Sequence, residues 1–154
     1  MTSGFYREDW PVIYKDKILW VAEGIIYVYD VKEKTTVPFF EGTQPLTNFY
    51  ALIAYDGRYL VYASLSDLNS YDVRVYDLNK KEDIAVTDRL GSQMPTDFDN
   101  DIMLYIDGYA CGKLFAYDLR NGNEKLLIDT SCGAKISDNT VVSIYGSALL
   151  YSRN

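Results

Sequence analysis

Ile26-Tyr27-Val28-Tyr29-Asp30 is the stretch that decides the fold, because it returns. Val73-Arg74-Val75-Tyr76-Asp77 repeats it, and so does Leu114-Phe115-Ala116-Tyr117-Asp118. Ala148-Leu149-Leu150-Tyr151-Ser152 is an altered fourth copy. The copies stand roughly 40 residues apart, the period of a repeated supersecondary unit. Their β-branched and aromatic content suits strands. Each of the first three ends on an aspartate before a polar turn, where Asp bonds its own downstream backbone. Asp30, Asp77 and Asp118 are therefore read as caps and not as a recurring active-site acid.

Working outward, each copy is the third strand of a four-strand unit. Unit 1 has strands at Pro11–Tyr14, Ile18–Ala22, Ile25–Tyr29 and Thr35–Phe40. Pro38 lies in the last of these and cannot donate to a ladder, so that strand should be a sheet edge. Unit 2 has Phe49–Tyr55, Tyr59–Ser64, Asp72–Tyr76 and Asp83–Thr87. Unit 3 has Pro95–Phe98, Ile102–Ile106, Lys113–Tyr117 and Glu124–Ile128. Unit 4 has Ala134–Ser137, Thr140–Tyr145 and Ala148–Tyr151. The first turns carry Asp16, Asp56, Asn100-Asp101 and Asp138-Asn139 in step, and Asp56-Gly57 and Asn121-Gly122 are hairpin signals. No segment keeps a 3.6-residue apolar period, so helices should be nearly absent.

This is the pattern of an all-β chain folded as a β-propeller of about four four-stranded blades. The second strands are apolar almost residue by residue, as expected for blades packed on both faces. A two-sheet sandwich does not explain the regular return of the anchor strand. The blades fall at about 11–40, 49–87, 95–128 and 134–152. The last lacks its outer strand, and an open sheet edge is normally covered. Residues 2–7 are expected to supply that strand by pairing with Ala148–Tyr151. Three closures remain open: within one chain, between two copies as a homodimer completing a larger ring, or within a longer propeller.

Trp10-Pro11-Val12-Ile13-Tyr14-Lys15-Asp16-Lys17-Ile18-Leu19-Trp20, with Ile26 to Val31, resembles the blades of TolB-like propellers. The likeness extends to the tandem repeats of archaeal and bacterial surface-layer-type proteins. Ala54-Tyr55-Asp56-Gly57-Arg58-Tyr59-Leu60, running to Val75-Tyr76-Asp77-Leu78, resembles the same pattern. Ser152 departs from it in place of the anchor aspartate. The resemblance implies a fold and leaves function open, since such blades serve adhesion, docking and enzyme-appended domains alike.

Composition narrows the function classes. The formal net charge is −7, which argues against nucleic acid or an anionic membrane as partner. No run approaches the roughly 20 apolar residues of a membrane span. No apolar leader is visible at the N-terminus, so the expected setting is cytoplasmic if Met1 is the native start, and extracytoplasmic if the chain is a piece of a surface protein. Histidine is absent, which removes His-dependent triads and His metal sites. No cofactor is expected.

In a propeller, the second-to-third-strand loops and the links between units share one rim. Ser66–Tyr71 is the longest insertion there, and long loops tend to carry function. Asp67, Asn69 and Tyr71 from this loop, Arg89 and Gln93 from the link Asp88–Gln93, and Tyr109 are the candidate binding residues. Asp67, Asn69 and Asp72 faintly resemble calcium ligands, but EF-hand spacing is absent and no metal is assigned. Asp97, Asp99 and Asp101 could place carboxylates on one face, although a turn role fits them better. Cys111 and Cys132 fall on the same rim. Free or buried thiols are the reading for a reducing compartment, and a disulfide is the alternative the geometry leaves open. The function expected is a non-enzymatic module docking a partner, a protein in this reading, through one rim. An adhesive, glycan-binding unit is the alternative, and an enzyme with a rim pocket the third.

Overall fold

The computed structural model describes residues 11–65, 70–87, 89–108, 111–137 and 140–143. Among these residues the elements are β1 (Val12–Tyr14), β2 (Lys17–Ala22), β3 (Ile25–Asp30), β4 (Thr35–Pro38), β5 (Phe49–Tyr55), β6 (Tyr59–Leu65), β7 (Tyr71–Asp77), β8 (Glu82–Ala85), β9 (Gln93–Asp99), β10 (Ile102–Asp107), β11 (Gly112–Asp118), β12 (Asn123–Ser131), β13 (Ala134–Ser137) and β14 (Thr140–Ser143). No helix occurs among them. Three four-stranded antiparallel sheets follow chain order, β1-β2-β3-β4, β5-β6-β7-β8 and β9-β10-β11-β12, with β13 paired to β14. The innermost strands β1, β5, β9 and β13 touch in succession. The chain is thus an arc of propeller blades. The expected fastening of residues 2–7 to Ala148–Tyr151 lies outside the described residues.

The recurring stretch is the third strand of each sheet, and its aspartate is a cap. Asp30 Oδ1 accepts from the Lys32 and Glu33 amides at 2.9 and 3.0 Å. Asp77 Oδ1 accepts from Asn79 and Lys80 at 2.9 and 3.2 Å, and Asp118 Oδ1 from Arg120 at 3.0 Å. The residue after each cap reaches back to the first-turn end of its own blade. Val31, Leu78 and Leu119 donate to the carbonyls of Asp16, Arg58 and Asp101 at 2.8, 2.9 and 2.9 Å.

Strand alternation splits each blade into two faces. Leu19, Val21 and Ile26 of the first blade pack on Leu52, Leu60, Tyr62 and Tyr76 of the second. The other face of the second blade, with Tyr59, Val61, Val73 and Val75, packs on Phe98, Met103, Tyr105 and Phe115 of the third. The far face of the third, with Ile102, Leu104 and Leu114, packs on Ala134, Ile136 and Val141. Strands β6 and β10 are therefore buried on both faces, which is why they read as continuous apolar runs. Burying a large apolar side chain fully contributes roughly 1.5–3 kcal/mol, so these interfaces hold the arc together.

The structure corrects several strand limits. The fourth strand of the first sheet stops at Pro38, not Phe40. Phe39 and Phe40 turn inward and meet edge to edge at 5.0 Å, and both pack on the first interface. Strand β8 stops at Ala85 because the Thr87 hydroxyl takes over as acceptor of the Val73 amide at 3.3 Å. Strand β9 runs through Pro95 from Gln93, with a register shift between Leu104 and Tyr105. An innermost strand is a sheet edge, so the missing amide costs no ladder bond. Pro38 sits on the outer edge strand, as its sequence requires. The cysteines are joined, not free: Cys111 and Cys132 form a disulfide.

Candidate binding cleft and rim

The innermost strands leave a cleft of about 430 Å³ along the axis of the arc. Pro11, Val12 and Ile13 line one side, Leu52 to Tyr55 and Thr96 to Phe98 the middle, and Lys135 the other side. The repeat builds it directly, because the first strand of every unit is brought to one place. Most of its lining residues are apolar by type, yet polar atoms make up the larger part of the surface that faces the cleft. Asp97 Oδ2 accepts the Ile136 amide at 2.8 Å, while Oδ1 lies 3.6 Å from Lys135 Nζ. Thr96 donates its hydroxyl to the Leu104 carbonyl at 3.3 Å. Tyr55 stands edge-on to Tyr14, ring centroids 5.4 Å apart, and burial pushes its phenol up. Asp97 is committed to the strand beside it. The arrangement offers apolar side chains together with hydrogen-bonding groups, which suits holding a chain segment.

The residues singled out on the rim lie elsewhere. The cleft is lined from the second halves of β5 and β9, whereas Gln93 opens β9 at the opposite end. Arg89 pairs with Glu124, lies 3.6 Å from Asp107, and sits 4.6 Å over the Phe115 ring. Gln93 is fully buried, and its Nε2 donates to Asp107 Oδ1 at 3.1 Å. Asp107 thus brings Arg89 and Gln93 together as a tie between the link and the third blade. Tyr71 stacks obliquely on Tyr50 at 4.6 Å, and its amide donates to Ser92 Oγ at 3.4 Å. The disulfide joins the β10–β11 turn to the β12–β13 link. Gly108, at φ 152, and Gly112 pack backbone against backbone in that turn, with no space for a Cβ at either. Asp67, Asn69 and Tyr109 lie outside the described residues. Among the described residues, no group of three or more His, Cys, Asp or Glu is placed to hold a metal ion.

One polar device recurs between link and outer strand. Tyr62, fourth in β6, donates to Asp83 Oδ1 at 2.7 Å. Arg74 Nε lies 3.2 Å from both Asp83 oxygens, and Thr47 in the entering link donates its hydroxyl to Asp83 Oδ2 at 2.6 Å. Tyr105, fourth in β10, donates to Glu124, which also pairs with Arg89. Burial, then the adjoining carboxylate, pushes both phenols well above the ordinary tyrosine range. Burial pushes Asp83 up, but hydrogen bonds from Thr47, Arg74 and Tyr62 outweigh it and hold the carboxyl below its usual value.

Sequence reasoning missed the cleft because it followed loops. The signal was present: the first strands of all units must share the axis, and Asp97 and Lys135 stand with opposite charge in consecutive first strands.

No family model and no curated protein matches the chain. Solved structures do resemble it. TolB from Acinetobacter baumannii superposes with a TM-score of 0.64 at 14% identity, over 88% of this chain and 37% of TolB. The extracellular domain of the BT4673 one-component system from B. thetaiotaomicron superposes with a TM-score of 0.52 at 11% identity, over 95% of this chain and 22% of the other. This chain therefore spans well under half of each. At these identities the likeness establishes a TolB-like β-rich fold and bears on neither activity nor a surface-layer relationship.

Proposed function

We propose that the chain is a binding module that docks a protein partner, taking a segment of mixed polarity into the axial cleft. The observation that carries this is the cleft's make-up: apolar side chains from consecutive blades set beside a larger polar surface, with the Asp97–Lys135 pair as a charged edge. Concave sites in which oriented polar groups stand among apolar side chains are a usual form of a binding pocket. The disulfide and the likeness to an extracellular domain support an oxidising, exported setting.

A displayed library of random peptides, selected on the purified protein, tests the reading. Peptides that combine apolar side chains with polar ones should be enriched. Their binding should weaken at least tenfold in Ile53→Glu and in Lys135→Glu, and stay unchanged in Leu90→Asp on the exposed link. Binding that ignores the cleft variants, or binding to glycans alone on an array, would overturn it.

A further inference from the structure

The two ends of the arc differ from its middle. In the second and third blades, the face turned to the preceding blade is covered. Tyr62 and Tyr105 mark that face, and both are fully buried. Strand register identifies the same face in the first blade. The pair Trp20↔Tyr27 occupies the place of Tyr62↔Arg74 and Tyr105↔Phe115. Ile13↔Ile18, Ile18↔Tyr29 and Ala22↔Ile25 put further apolar side chains beside it. Leu19, Val21 and Ile26 point the other way, into the second blade.

This face of the first blade is apolar and open. Ile13 is 69% exposed and Ile25 42%, and Trp20 and Tyr27, stacked at 5.8 Å, are only half-buried. It carries no counterpart of the Tyr–acid–Arg tie, since Thr36 stands where Asp83 and Glu124 stand in their strands. At the far end, Ala134 and Ile136 are buried against the third blade, while Lys135 and Ser137 on the opposite side of β13 are exposed. The described ends of the arc therefore do not cover one another.

We propose that this face of the first blade is an inter-blade surface that seats the β13–β14 end of a second copy of the chain. Continuity with the three interfaces already formed argues for it, because each blade face of this type is covered by another blade of the same repeat. A second copy satisfies both open ends at once: two copies related by a two-fold axis each offer one end to the other's opposite end. It would also extend the wall of the cleft, whose outer lining residues Ile13 and Lys135 lie at the two ends. The inference goes beyond the docking function and stands whether or not the cleft takes a peptide.

The test is the mass of the purified chain by sedimentation across a concentration series. Twice the 17.6 kDa monomer mass is expected at high concentration. Association should tighten as salt rises, because two chains of charge −7 repel. Ile25→Lys, away from the cleft, should weaken the dimer at least tenfold with the thermal transition of the monomer unchanged. A 17.6 kDa species at every concentration overturns the proposal, as does a dimer that Ile25→Lys and Trp20→Ala both leave intact. Peptide binding that survives in a strict monomer would separate its failure from that of the docking reading.

Discussion

The Tyr62 hydroxyl donates to Asp83 at 2.7 Å, spanning the second blade from its second strand to its fourth. Asp83 is also held by Arg74 and Thr47, so its partners differ in what their loss exposes. Tyr62→Phe leaves the carboxylate paired and should cost about 1 kcal/mol. Asp83→Ala leaves a largely buried guanidinium without its counter-charge and should cost about 3 kcal/mol. Urea unfolding of both variants and the double variant measures the coupling. Equal losses for the two single changes would show that Arg74 finds another partner.

Asp77 is 1% exposed, caps the β7–β8 turn and pairs with Arg58 at 2.9 Å. Burial raises its pKa, but the hydrogen bonds from Arg58, Lys80 and Asn79 outweigh that and leave it below 3.8. Its contribution is therefore complete at neutral pH and is lost as pH falls from the ordinary carboxylate value through the depressed one. Asp77→Asn should flatten the acid limb of the stability curve below about pH 4. An unchanged acid limb would refute the assignment.

The disulfide closes a loop of about 20 residues, from the third blade's turn to the next link. Removing it should cost about 3 kcal/mol, or about 6–12 °C in Tm for a chain of this size. Calorimetry with and without reductant reads this directly, and Cys111→Ser with Cys132→Ser should match the reduced protein.

Gly57 sits at φ 96 in the first turn of the second blade, beneath the ring of Tyr14. A Cβ there would lie 2.7 Å from Tyr14 Cε1. Gly57→Ala should cost about 1–2 kcal/mol from backbone strain and contact together. Tyr14→Leu in the same background should relieve part of it.

The architecture was legible because its cause is local. The caps at Asp30, Asp77 and Asp118 and the first turns lie within a few residues of the strands they serve. The doubly buried strands β6 and β10 advertised themselves as unbroken apolar runs. The cleft was legible only in outline: the repeat requires its first strands to share an axis, but which of their residues meet there, Ile53, Phe98 and Lys135 among them, is set when the blades are stacked. Arg89 and Gln93 drew notice as link residues, yet their partners Glu124 and Asp107 come from other strands and turn them into ties. The cysteine pairing follows instead from register inside one blade, since Gly112 faces Ser131 and sets Cys111 beside Cys132.

Pro38 has a consequence beyond the first sheet. The outermost strands β4, β8 and β12 each leave one row of backbone groups without a ladder partner among the described strands, the usual seed of uncontrolled polymerisation. Pro38 withholds an amide from the first edge, Glu82 and Asp83 stand on the second, and Glu124, Lys125 and Asp129 stud the third. Charge and proline thus act as gatekeepers against strand-to-strand growth. An encounter of two copies edge to edge, which would otherwise run on into fibrils, is thereby disfavoured.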